Sequence, residues 1–280
     1  GTSDAVGFAN ATNTTLTNNG TISSSGSRGL RTTTSATIND LSNNGTISAG
    51  GSSGIRNDGT ITTLTNTNTI SATGGYGIYN ITGATIGTIT NSGTISAGTS
   101  FGLRNNGAAI INTLTNSGTI SADQSGLWNG GTITTLTNTS NIKALDGEFG
   151  LKNVKGTIGT LTNSGTISAS GNYGLYNDGT ATITTLTNTG TISASGNSIG
   201  IYNDSTITTL NNSQGASSSA LTYTGNLPTN YNVIVNSTSD FGKTTFSDAS
   251  GTTTFGVHST STLAASTTYS SVLSGLTSSD

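Results

Sequence analysis

The chain of 280 residues has no cysteine and no methionine, a single histidine (His258) and a single proline (Pro228). Thiol catalysis, disulfide scaffolds and cysteine-based zinc sites are thereby excluded. Charged residues are 7% of the chain, against roughly 25% in an ordinary soluble domain, which excludes helices laced with surface ion pairs. The 8 Lys and Arg are spread along the sequence. They cannot form the basic face that displaces counterions from nucleic acid, so no nucleic-acid partner is expected. No apolar run of about 18 residues is present, and no membrane span is expected in this chain. Gly1 opens no basic-then-apolar leader, which reads as a processed chain or a fragment. A net charge of −3 is too small for charge-driven disorder.

What the chain has is repetition. The phrase Thr-Leu-Thr-Asn-Ser-Gly-Thr-Ile-Ser-Ala stands intact at 113–122 and 160–169 and recurs with small changes. Its leading aliphatic falls at Leu16, Leu41, Leu64, Ile89, Leu114, Leu136, Leu161, Leu186 and Leu210, a period of about 24 residues that indicates a solenoid. Two residues after each comes Asn18, Asn43, Asn66, Asn91, Asn116, Asn138, Asn163, Asn188 or Asn212. A second phrase, Gly-aliphatic-x-Asn, follows in each unit, as at 77–80 and 174–177; only the copy at Leu30 ends differently, in Thr32.

Apolar residues alternate with Thr, Ser and Gly, as in Thr160-Leu161-Thr162 and Thr166-Ile167-Ser168. A period of two indicates strands with one buried face, here about three to five residues long. Asn, Gly and Ser at their ends suit turns, and the β-branched residues and glycines argue against helix. The predicted fold is all-β: a β-solenoid, or β-helix, of about eight to nine coils of about 24 residues. One coil buries too little to fold alone. Stacking lets each coil hydrogen-bond its neighbours and continue the aliphatic rows, and an Asn fixed at one position is expected to build a structural amide ladder through the stack.

Three regions follow: an N-terminal segment (1–15) with little to cap a first coil, the repeat array (16–212), and a C-terminal β cap or module (213–280). In the last, Tyr231-Asn232-Val233-Ile234-Val235 is the strongest strand signal, and 252–257 and 268–273 read as further strands.

The repeat resembles the passenger domains of bacterial type V secreted proteins, the autotransporter adhesins, over about residues 16–212. The tail from Leu221 to Leu276 resembles the segment that follows such arrays ahead of a translocator barrel, and no barrel of long alternating strands lies in this sequence. The resemblance implies a Gram-negative cell-surface or secreted protein used for adhesion or matrix.

No catalytic residue is assigned, no metal ligand and no cofactor. The acidic residues are scattered about one per coil. Asp58, Asp178 and Asp204 follow the second Asn at turns, Asp146 and Glu148 share a Gly-containing loop, and His258 has no acidic context. The Gly-Gly-x-Gly-x-Asp series of repeat-type calcium sites is missing. The candidate binding residues occupy the x of Gly-aliphatic-x-Asn: Arg31, Arg56, Tyr79, Arg104, Trp128, Lys152, Tyr176 and Tyr202. Strand parity points them outward in one column about 5 Å apart. Such a column either stabilises itself by ring and cation stacking or serves as a glycan-binding or lateral-association stripe, the expected partners being a surface glycan or protein or further copies of the chain. A second outward pattern, Thr on both sides of the leading aliphatic as at Thr113 and Thr115, resembles the Thr-x-Thr ranks of ice-binding proteins. Thr also suits any exposed strand. The expected function is non-enzymatic: an adhesin stalk, or a filament subunit self-associating head to tail through an open end, with ice binding as the alternative.

Overall fold

The computed structural model describes residues 3–196 and 198–276. It is an all-β parallel solenoid of about ten coils of about 24 residues. Three sheets run along it: sheet A of twelve strands, sheet B of eleven and sheet C of eight, all paired in parallel with the strand one coil away.

One coil shows how the sequence builds the rest. Thr157–Asn163 lies in sheet B, Thr166–Ala169 in sheet C and Tyr173–Asp178 in sheet A. Ile158, Leu161, Ile167 and Leu175 point inward and are fully buried, each burial contributing about 2 kcal/mol. The sheet B strand of this coil spans seven residues, longer than the alternation predicts. Two apolar phrases fuse into one strand there: Ile158 pairs with Ile183 and Thr160 with Thr185. Ile158 and Leu161 are three apart yet both inward, so one residue between them must break the alternation.

Asn163 and Asn177 are also fully buried in the interior. From Asn18 to Asn188, each amide of the first Asn set donates to the side-chain oxygen of the Asn in the next coil, as from Asn91 to Asn116 at 2.7 Å and from Asn116 to Asn138 at 2.8 Å. The Asn of the second phrase forms another ladder, running from Asn57 through Asn80, Asn105, Asn129, Asn153 and Asn177 to Asn203 at 2.8–2.9 Å per rung. Thr32 serves as its first rung, its hydroxyl donating to Asn57 at 2.6 Å. Side chains thus satisfy in the core what would otherwise be stranded polar groups.

The array is longer than eight to nine coils because strands continue the stack at both ends. Val6–Phe8 pairs with Arg28–Thr32 in sheet A. After residue 212, Leu221–Asn226 and Thr244–Ser250 add to sheet A, and Asn230–Val233 and Thr254–Val257 add to sheet B. The repeat phrase is lost there, but the inward rows persist in aromatic form: Ile201 pairs with Tyr223 and Leu210 with Tyr231. The expected strand at 268–273 shrinks to Leu273–Ser274, since Ser266 and Ser271 take left-handed backbone and break the extended run. Sheet C stops at Thr191–Ala194, where the Gln214 carboxamide imitates a strand: its oxygen accepts from the Ile192 N–H at 2.8 Å and its nitrogen donates to the Ile192 carbonyl at 3.3 Å.

Candidate functional site

The eight x residues of Gly-aliphatic-x-Asn form one continuous column on sheet A, each the ladder partner of the next from Arg31 to Tyr202. All are half-buried. Beside them runs a column that the sequence reading missed: Arg28, Ser53, Tyr76, Phe101, Ser125, Phe149, Tyr173 and Ile199. Its members precede the glycine of each phrase. The signal was present, because Gly and the aliphatic are both buried as a pair, so the outward residues of this strand stand three apart instead of two.

That inward pair needs glycine at its first position. A Cβ on Gly102 would meet the Gly126 carbonyl oxygen at 2.7 Å and the Ser121 carbonyl oxygen at 2.9 Å. The backbone of sheet A therefore lies against sheet C at this corner, which holds both outward columns at a fixed height.

Charge and rings are arranged in blocks along the face. At the N-terminal end Arg31 and Arg56 are neighbours, and Asp58, expected only as a turn residue, holds both: Arg31 at 2.7 Å and Arg56 at 2.5 Å. Its carboxylate is nearly buried and relieves the like-charge contact. Arg28 pairs with Asp4 at 3.2 Å. In the middle, the Arg104 guanidinium lies 4.7 Å from the Trp128 ring centre and 5.4 Å from those of Tyr76 and Tyr79, and it donates to the Tyr76 hydroxyl at 2.8 Å. Phe101 stacks on Tyr76 at 5.9 Å and on Trp128 at 6.0 Å. Toward the C-terminal end Lys152 sits 4.3 Å from the Phe149 ring centre, Phe149 stacks on Tyr176 at 5.2 Å, and Tyr173 and Tyr176 stack on Tyr202 at 4.9 and 5.1 Å. Burial and the hydrogen bond to Asp178 push the Tyr176 phenol above its ordinary value, and burial and Asp204 do the same at Tyr202. Both rings stay uncharged at neutral pH.

Between the middle and C-terminal blocks the column carries the fully buried Ser125 in place of a ring, and a cleft of about 430 Å³ lies beside this stretch, lined by Phe101, Trp128, Phe149, Lys152, Gln124, Gly147 and Glu148. Glu148, read from the sequence as a loop residue, is brought to this cleft; Asp146 is exposed beside it without a place in the lining.

The threonines flanking the leading aliphatic line up on sheet B. Thr63, Thr88, Thr113, Thr135, Thr160, Thr185 and Thr209 form one rank, and Thr65, Thr90, Thr115, Thr137, Thr162 and Thr187 a second that continues into Asn211. Asp40 and Ser42 interrupt them toward the N-terminus. His258 lies half-buried near the far end, 2.8 Å from the Thr260 hydroxyl. Among the described residues no three His, Asp or Glu side chains gather as a metal site would require, and no helix is long and apolar enough to cross a membrane.

No protein-family model, no curated protein and no solved structure matches the chain.

Proposed function

We propose that this protein is a non-enzymatic extracellular rod, an adhesin stalk that contacts its target along the ring-and-cation face of sheet A. One observation carries the reading. Within residues 16–212 every aromatic residue (Tyr76, Tyr79, Phe101, Trp128, Phe149, Tyr173, Tyr176 and Tyr202) belongs to the two outward columns. Arg28, Arg31, Arg56, Arg104 and Lys152 join them there, while the other outward rows are mainly Thr and Ser. Half-buried aromatics and Arg on one side of a polar rod have the composition of a contact surface. The phrase-level resemblance to autotransporter passengers supports placement at the cell surface, and a core without disulfides suits a rod stabilised by stacking alone.

The rod displayed on cells or coated on beads is expected to attach to glycan-bearing or protein-coated surfaces, and Tyr176→Ala with Tyr202→Ala to lose attachment while keeping the β-sheet circular dichroism. Undiminished attachment with a lowered melting temperature would assign the columns to stability instead. Negative-stain images of rods joined end to end would move the reading to a filament subunit.

The in-register Thr ranks on sheet B favour a second reading, ice binding, in which regularly spaced hydroxyls and methyls order water. Thermal hysteresis and faceted crystals in the purified protein are its test. A freezing curve identical to that of an equal mass of albumin removes it.

A further inference from the structure

The column of x residues on sheet A changes character along the rod. Its N-terminal half holds the cations Arg31, Arg56 and Arg104, with Tyr79 as the one ring among them. Its C-terminal half holds the rings Trp128, Tyr176 and Tyr202, with Lys152 as the one cation. The two exceptions lie equally far from the midpoint, which falls between Arg104 and Trp128. Reversing the column therefore puts a ring at every cation's height and a cation at every ring's. Charge beside the column is divided in the same way. Arg31 and Arg56 share the single carboxylate of Asp58, which leaves one net positive charge. Near the other end Asp178 accepts from the Tyr176 hydroxyl, and Asp204 is exposed and makes no ion pair among the described residues.

We propose that sheet A docks a second copy of this chain, antiparallel and face to face, about a two-fold axis that crosses the rods between Arg104 and Trp128. The inference rests on the reading of sheet A as a contact face and names a partner for it. In such a pair each column meets itself reversed, and every contact is made twice. Arg31 meets Tyr202 and Arg56 meets Tyr176, so the shared positive charge at Asp58 faces Asp178 and Asp204. Nearer the axis, Tyr79 meets Lys152 and Arg104 meets Trp128, again a cation on a ring. In the companion column Tyr76 meets Phe149. In the turn row after the second Asn, the half-buried Ile81 meets the half-buried Val154. Other arrangements lose this match. Sliding the partner by one coil lays Arg104 on a second Arg104 in one direction and on Lys152 in the other. A parallel pair sets one column against the other and lays Arg28 on Arg31 at both edges. The face of eight strands covers about 600 Å² on each rod, about 1,200 Å² in total, which reaches the lower end of stable interfaces.

Sedimentation equilibrium of the full chain is expected to show monomers and dimers with a midpoint in about the micromolar range. Asp204→Arg and Arg31→Glu each set like charges against one another at both ends of the pair. Each should weaken the dimer by about tenfold or more, with unchanged circular dichroism. Mixed in equal amounts, the two variants should regain the affinity of the unaltered chain. In an antiparallel pair of unlike variants the exchanged charges meet at one end and the native ones at the other. A parallel pair keeps positions 31 and 204 at opposite ends and gains nothing from mixing. A chain that stays monomeric at about 0.1 mM, a dimer that both variants leave intact, or a mixture no tighter than either variant alone overturns the inference. Attachment to coated surfaces through Tyr176 and Tyr202, by a chain that sediments only as a monomer, overturns the pairing and leaves the adhesin reading standing. Dimers restored by mixing, in a chain that attaches to no coated surface, sustain the pairing and overturn attachment to foreign surfaces.

Discussion

Replacing Asn116 by Asp changes one NH2 to one oxygen in the middle of the first amide ladder, and the consequences can be worked through atom by atom. Asn116 is fully buried. Its amide nitrogen lies 2.8 Å from the Asn138 side-chain oxygen, 3.0 Å from the Asn141 carbonyl and 3.2 Å from the Gly118 carbonyl, and its oxygen accepts from Asn91 at 2.7 Å. The aspartate keeps the bond from Asn91 and turns its second oxygen toward three acceptors. The two N–H donors, one of them shared between two acceptors, are worth about 1 kcal/mol each, and with the desolvation of a charge beside unpartnered acceptors the loss is about 3–5 kcal/mol at neutral pH. Protonation restores one donor. The variant's carboxyl is therefore raised above its ordinary value of about 3.9 in the folded state. Its neutral form favours folding at low pH, and that advantage is lost as pH rises through the raised value. Guanidinium unfolding followed by circular dichroism at pH 4 and pH 7 is the assay, with the unaltered chain as reference at each pH. The deficit should be larger at pH 7. An unchanged midpoint at pH 7, or a deficit that deepens on acidification, would refute the ladder as a source of stability.

Two further predictions follow from the same geometry. Gly102→Ala places a methyl 2.7 Å from the Gly126 carbonyl oxygen and 3.0 Å from the Ile120 side chain, so unfolding should shift by about 1–3 kcal/mol; Gly20→Ala, with open space around it, is the control and should leave the midpoint unchanged. Burial raises the phenols of Tyr223 and Tyr231, both inside the C-terminal coils. Below about pH 10, the ordinary tyrosine value, both folded and unfolded chains keep these protons. Above it the unfolded chain releases them first, and stability falls as pH climbs toward the raised folded values. Circular dichroism against pH, with phenolate absorbance in parallel, should show alkaline unfolding that moves to higher pH in Tyr223→Phe.

The solenoid was legible because its core is written as a fixed phrase: Leu161, Asn163 and Ile167 recur at the same spacing in copy after copy. The C-terminal coils were less legible because Tyr223 and Tyr231 continue the inward rows with a different residue type, and Gln214 closes sheet C with a side chain where a period search looks for a strand. One column of the candidate face was readable from the x position. Its companion was hidden by the Gly-aliphatic pair, whose two consecutive inward residues break the parity that would have pointed Tyr76 and Phe101 outward. The cleft was not readable at all from a single unit, because its lining, from Phe101 through Trp128 to Phe149 and Lys152, comes from three successive coils.

An array of near-identical coils also separates what packing demands from what it leaves open. Inward positions hold Leu or Ile, Ala and Asn in almost every copy, because a different volume or a missing amide would be felt by both neighbouring coils. Outward positions carry no such demand, and on sheets B and C they settle on Thr and Ser, which suit any exposed strand. Sheet A faces the same solvent and obeys the same strand geometry, yet its outward positions hold Arg, Tyr, Phe, Trp, Lys and Ser in unequal succession. If stacking within the column were the whole reason for these rings, a uniform run of one aromatic would serve, as Tyr176 on Tyr202 does. The buried Ser125 between two phenylalanines works against that purpose, since it forgoes two ring contacts of about 0.5–1.5 kcal/mol each. Under the contact-face reading proposed above, this unequal succession of side chains along sheet A is the feature that would set the choice of partner.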